Sequence, residues 1–149
     1  MKNICGVFGF LVLMMAGLAA QPGPPTEGFA DLSVATSDIK GGVQFAKSNK
    51  TGVDIDARGL SGFDAKRNYT LYVVKACPAG KPGDESRTLA QTLKTGHRFV
   101  TIKSGKLPEK PITDKALSFG PEDSVVGKFV LLTEGSSIVA CALIVPPRF

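Results

Sequence analysis

Apolar and polar residues take turns along most of this chain. Phe29-Ala-Asp-Leu-Ser-Val-Ala35 alternates, as do Val43–Lys47, Val53–Ala57 and Asn68–Val74. A β-strand turns successive side chains to opposite faces, so a period of two marks a strand with one face toward a core. Arg98–Ile102 and Lys115–Phe119 follow, joined by a linker that carries Pro108 and Pro111. Two denser apolar runs, Phe129–Leu132 and Ile138–Val145, then flank the polar stretch Thr133–Ser137. Strand-length runs around such a turn predict a hairpin, with Gly135 supplying a positive φ. The pattern as a whole predicts eight strands in an all-β sandwich or flattened barrel.

Two stretches break the rhythm. Pro78–Thr95 carries Pro78, Gly80, Pro82 and Gly83 and then turns polar, which predicts a long loop with one helical turn near Ser86–Leu93. At the N-terminus, Lys2 precedes the apolar run Ile4–Leu18, and Gly17-Leu-Ala19 ends it in a small-x-small pattern, with Ala20 as a second cleavage point. This is the layout of a secretory leader over residues 1–20, too short for a membrane span and followed at once by Gln21-Pro-Gly-Pro-Pro25. Residues 21–28 are then a Pro/Gly-rich lead-in and 29–149 a single β domain, in keeping with a chain of 149 residues.

Export changes the meaning of composition. The chain has three cysteines, and removal of Cys5 leaves Cys77 and Cys141. An even pair in an oxidising compartment is expected to form a disulfide, the alternative being two separate buried thiols. Asn49-Lys-Thr51 and Asn68-Tyr-Thr70 are acceptors for N-glycans in an exported protein. The formal net charge of +5, one unit lower without Lys2, is too modest for a nucleic-acid binder. Lys103, Lys106, Lys110 and Lys115 form a basic run, which reads as a solvated face or as a weak site for an anionic surface or polymer. There is no phosphate-binding glycine loop and no Ser/His/Asp or Cys/His arrangement.

The order of these features resembles the Cu,Zn superoxide dismutase family. Ile39-Lys-Gly-Gly-Val-Gln-Phe45 looks like its second strand and Ala57-Arg-Gly-Leu-Ser-Gly62 like the end of its third. Gly127-Lys-Phe-Val-Leu-Leu132 looks like its seventh strand, and Val139-Ala-Cys-Ala-Leu-Ile144 like its last. The resemblance spans roughly Ala30–Val145 and implies an eight-stranded Greek-key β-sandwich with one long loop tethered by Cys77 to Cys141. An immunoglobulin-type sandwich would place a tryptophan between the cysteines and a tyrosine two residues before the second. The chain has no tryptophan, and position 139 is Val.

The resemblance also implies copper and zinc, and here the chain departs from it. Copper that cycles between oxidation states and zinc that bridges to it are held in this family by several imidazoles. The chain has one histidine, His97. The family's H-x-H pair on the fourth strand corresponds to Tyr72 and Val74, a histidine late in the seventh strand to Leu132 or Thr133, and an anion-guiding arginine to Ile138. His97 with Asp84 or Glu85 would make at most a lone zinc site, and an ordinary strand-edge role fits it better. The sequence thus predicts a secreted, non-catalytic protein with no cofactor, no catalytic or metal-binding residues, and an unidentified extracellular partner. The alternative is residual metal binding or dismutase-type activity. The tail Pro146-Pro-Arg-Phe149 cannot extend a strand ladder, which predicts a monomer or weak dimer.

Overall fold

The computed structural model describes residues 23–34, 38–79 and 85–148, so the leader, Ala35 and Asp84 lie outside the described residues. The described residues form eight strands and one α-helix. Strands β1 (Glu27–Asp31), β2 (Gly42–Lys47), β3 (Val53–Asp56) and β6 (Ile112–Asp114) make one antiparallel sheet in that order. Strands β5 (His97–Ile102), β4 (Tyr69–Val74), β7 (Phe129–Glu134) and β8 (Ser137–Leu143) make the other. The chain crosses between sheets at β3–β4, β5–β6 and β6–β7, a Greek-key arrangement.

Alternation does what the sequence pattern predicts. Val43 and Phe45 of β2, Val53 and Ile55 of β3, Leu71 and Val73 of β4, and Val130 and Leu132 of β7 all bury themselves between the sheets. Phe45 and Phe99 meet edge to face across the gap, with ring centroids 5.9 Å apart. The β7–β8 hairpin closes tightly, Glu134 opposite Ser137, with Gly135 at φ 58° in the turn. Beyond β8 the chain changes sheets. The amide of Val145 donates to the Phe29 carbonyl at 2.9 Å, and the amide of Phe29 donates back to Val145 at 2.8 Å. One edge of the sandwich is stitched shut there.

Three elements differ from the sequence expectation. The first strand starts earlier and stops at Asp31, because the Asp31 carboxylate accepts the amide of Ser33 at 3.0 Å and curls Leu32–Val34 into a 3-10 turn. The sixth strand is Ile112–Asp114, not Lys115–Phe119. Leu117 and Phe119 are still buried, as their alternation requires. Their backbone is turned out of the ladder, however, by Asp114 accepting the Ala116 amide (2.9 Å) and the Ser118 hydroxyl accepting that of Gly120 (2.8 Å). Finally, the predicted helical turn is an α-helix, α1, running Glu85–Thr95.

Candidate functional site

The place to look for chemistry is the outer face of the second sheet, where β4 presents Tyr72 and Val74. Leu71 and Val73 point into the main core, so their neighbours in the strand point out. Register extends this face across three strands. Tyr72 lies opposite Leu131, which lies opposite Cys141; Val74 lies opposite Phe129, which lies opposite Leu143. Directly opposed residues share a face of the sheet.

That face is covered. Helix α1 lays Leu89 and Leu93, one turn apart, over the sheet, and Val74, Leu89 and Leu131 are each at most 2% exposed. Tyr72, Phe129, Ile138 and Cys141 pack around them. Cys141 is bonded to Cys77, 64 residues earlier in the chain, with Cα atoms 5.9 Å apart. Cys77 comes three residues after the end of β4, so the disulfide ties the start of the loop that leads to α1 to the last strand. The expected Cys77–Cys141 pairing is thus present. The pieces form a second, smaller apolar core, separate from the one between the sheets.

His97 lies elsewhere. It is opposite Val73 in the β4–β5 register and therefore on the inward side, away from Tyr72 and Val74. Its Nε2 is 2.6 Å from the Asp114 Oδ2, a contact that joins the edge of one sheet to the edge of the other. The candidate partner Asp84 lies outside the described residues, and Glu85 opens α1. Nothing in the sequence pattern singles out Asp114, because its meeting with His97 depends on how the two sheets align. Of the other positions, Leu132 is in the main core, Thr133 is buried beside an irregularity in the β7–β8 pairing, and Ile138 belongs to the outer cluster. Among the described residues, no group of three or more His, Cys, Asp or Glu side chains converges as metal ligands would.

The surface features are also placed. Asn49 is exposed in the β2–β3 turn. Asn68 is exposed before β4, and its Oδ1 accepts the amide of Ser104 at 2.9 Å. The lysine run is divided. Lys103 and Lys106 bracket a turn whose Gly105 amide donates to the Arg67 carbonyl at 3.1 Å, whereas Lys115 lies past β6 at the opposite end of the sandwich. No helix among the described residues is long and apolar enough to cross a membrane.

No protein-family model and no curated protein sequence matches the chain. A solved structure does. It is a mutant of Candida albicans superoxide dismutase 5, similar with a TM-score of 0.55 over 84% of this chain and 94% of that one. The chain has a superoxide dismutase-like fold. Sequence identity over the match is 15%, so the likeness is one of architecture. Within that fold, the Greek-key sandwich and the Cys77–Cys141 bond match the resemblance drawn from the sequence, and the tight β7–β8 turn matches the hairpin that the apolar pattern predicts.

Proposed function

We propose that this protein is a secreted, non-catalytic member of the superoxide dismutase-like fold that works as an extracellular binding or structural module. One observation carries the reading. The β4 face where the resemblance puts an imidazole pair holds Tyr72 and Val74, packed against Leu89 and Leu131 under α1. These side chains do not fit copper or zinc. A redox copper needs nitrogen or sulfur donors in a convergent set, and the sulfur of Cys141 is committed to Cys77. The chain's sole imidazole, His97, is hydrogen-bonded to Asp114 on the other side of the sheet. The resemblance also expects a positive group beside the metal, and Ile138 contributes to the apolar cluster instead.

Export is the second part of the reading. It rests on the leader pattern of residues 1–20 and on the disulfide, a bond that persists in oxidising compartments. In that setting Asn49 and Asn68, both exposed, would carry N-glycans.

The decisive experiment measures metal content of the native protein by mass spectrometry, alongside superoxide decay with and without a chelator. We expect no stoichiometric copper or zinc and no acceleration of decay, even after incubation with both metals. Tightly held copper near one per chain, with chelator-sensitive decay, would overturn the reading and favour a residual metal-binding or dismutase activity.

A further inference from the structure

At the end of the sandwich where β2 turns into β3, Lys47, Lys50 and Lys115 line one open cleft of about 530 Å³. All three are exposed. Backbone packing fixes their proximity. Val53 pairs with Asp114, and a Cβ on Gly52 (φ 97°) would lie only 2.2 Å from the Asp114 carbonyl oxygen. The turn that carries Lys50 is therefore pressed directly onto Asp114–Lys115, and only glycine permits that approach.

Three cations elsewhere are held in ion pairs, whereas exposed lysines such as Lys66, Lys103 and Lys106 are not, among the described residues. Arg58 pairs with Asp56, Arg67 with Asp64 and Glu134, and Lys128 with Asp123. The three cleft lysines form no ion pair among the described residues, and no carboxylate lines the cleft. A concavity lined by one sign of charge concentrates counter-ions. The same cleft is lined by Pro24, Pro25 and Pro121 and by Thr26 and Thr51, over the core residues Leu117 and Phe119.

We propose that this cleft binds an acidic polysaccharide. The proline rings suit the faces of sugar rings, the threonines suit their hydroxyl groups, and three compact ammonium groups suit sulfates or carboxylates spaced along a chain. The proposal rests on the extracellular reading above for its setting, but not on the absence of catalysis. Binding by the purified protein and superoxide decay are separate measurements, so the two can fail independently.

The test is calorimetric titration of the mature protein with two probes, a heparin hexasaccharide and a galacturonate hexasaccharide. Each titration is run before and after enzymatic removal of glycans, because Asn49 shares the turn with Lys47 and Lys50. The two probes separate sulfate from carboxylate recognition, and binding of either supports the proposal. The variant Lys47→Gln/Lys50→Gln/Lys115→Gln should lose tenfold or more in affinity, and its log–log salt slope should flatten by about three units, roughly one per cation removed. The variant Lys66→Gln/Lys103→Gln/Lys106→Gln makes the same charge change at the other end and should lose less than about threefold. Equal losses in both variants would reduce the effect to net charge and overturn the proposal. So would binding of neither sugar, or cleft-dependent binding to phosphatidylserine vesicles without sugar binding. Should the cleft variant fail to fold, amide shifts of the unaltered protein on titration decide. Shifts confined to residues 47–52 and 114–119 support the cleft, and shifts elsewhere refute it.

Discussion

Arg58 grips Asp56 with both ends of its guanidinium, Nε at 2.9 Å from Oδ1 and a terminal nitrogen at 2.6 Å from Oδ2, and its amide adds a third bond at 3.0 Å. The side-chain hydrogen bond from Arg58, followed by that of its amide, holds the Asp56 carboxyl down at about 2. A carboxyl depressed in the folded state stabilises the fold above its unfolded pKa, and the contribution fades as pH falls toward 2. The pair is solvent-exposed, so its effect on stability is small and screened by salt. A carbon-13 titration of Asp56 should find its midpoint near 2, and Arg58→Gln should move the midpoint up toward the ordinary carboxylate value of 3.8. His97 is a different residue-scale contact, because its bond to Asp114 joins two sheets. His97→Ala should lower the unfolding free energy by about 1 kcal/mol in chemical denaturation, without altering metal content. Of this pair the sequence offers only the histidine. Asp114 is one aspartate among several until the edges β5 and β6 of the two sheets are brought together.

At the scale of elements, the outer cluster decides what the β4 face can do. Leu89→Ala empties a site that is 2% exposed between α1 and the sheet, and should cost about 2–5 kcal/mol, read from urea unfolding. The double change Tyr72→His and Val74→His would set two imidazoles on one face of β4. It should still give little superoxide decay, because no further ligands converge there among the described residues, and it should lower the melting temperature, because Val74 is 1% exposed. The strands of this region are legible in the sequence because their period of two is strong. The helix is legible only in part. Its apolar stripe consists of Leu89 and Leu93, which reads as one turn, and its full length is stabilised by docking on Leu131 and Val74, partners far away in the chain. The sixth strand is misplaced for a related reason. Leu117 and Phe119 alternate like a strand and are buried like one, while side chain-to-backbone bonds from Asp114 and Ser118 divert their backbone.

For the whole molecule, the Cys77–Cys141 bond closes a long loop around both cores. The chain-entropy account gives such a closure about 4 kcal/mol at most. Replacing both cysteines by alanine should lower stability toward that limit, and hydrogen exchange should rise first in α1, whose anchoring loop starts at Cys77. Association follows from the last strand. Val145 is already bonded to Phe29, and Pro146 and Pro147 follow, so that end of β8 offers no free ladder to a second copy. Sedimentation should show a monomer, and a dimer that persists on dilution would contradict this. Strand order and sheet crossings come from no periodicity. They were readable only through the order of motifs resembling a known family, which is information about assembly that alternation does not carry.

The stitch between Phe29 and Val145 also sets how the domain answers to force. The two residues run antiparallel, and the segments leading to and from them, Gly23–Glu27 and Pro146–Pro147, line a common cleft at one end. A pull applied between residues 23 and 148 would therefore open the paired backbone bonds one after another, like a zipper, rather than loading them together in shear. Single-molecule stretching through these two points should find a mechanically soft domain. Stretching from residue 23 to a handle at position 136, in the β7–β8 turn at the far end, should find a stiffer one.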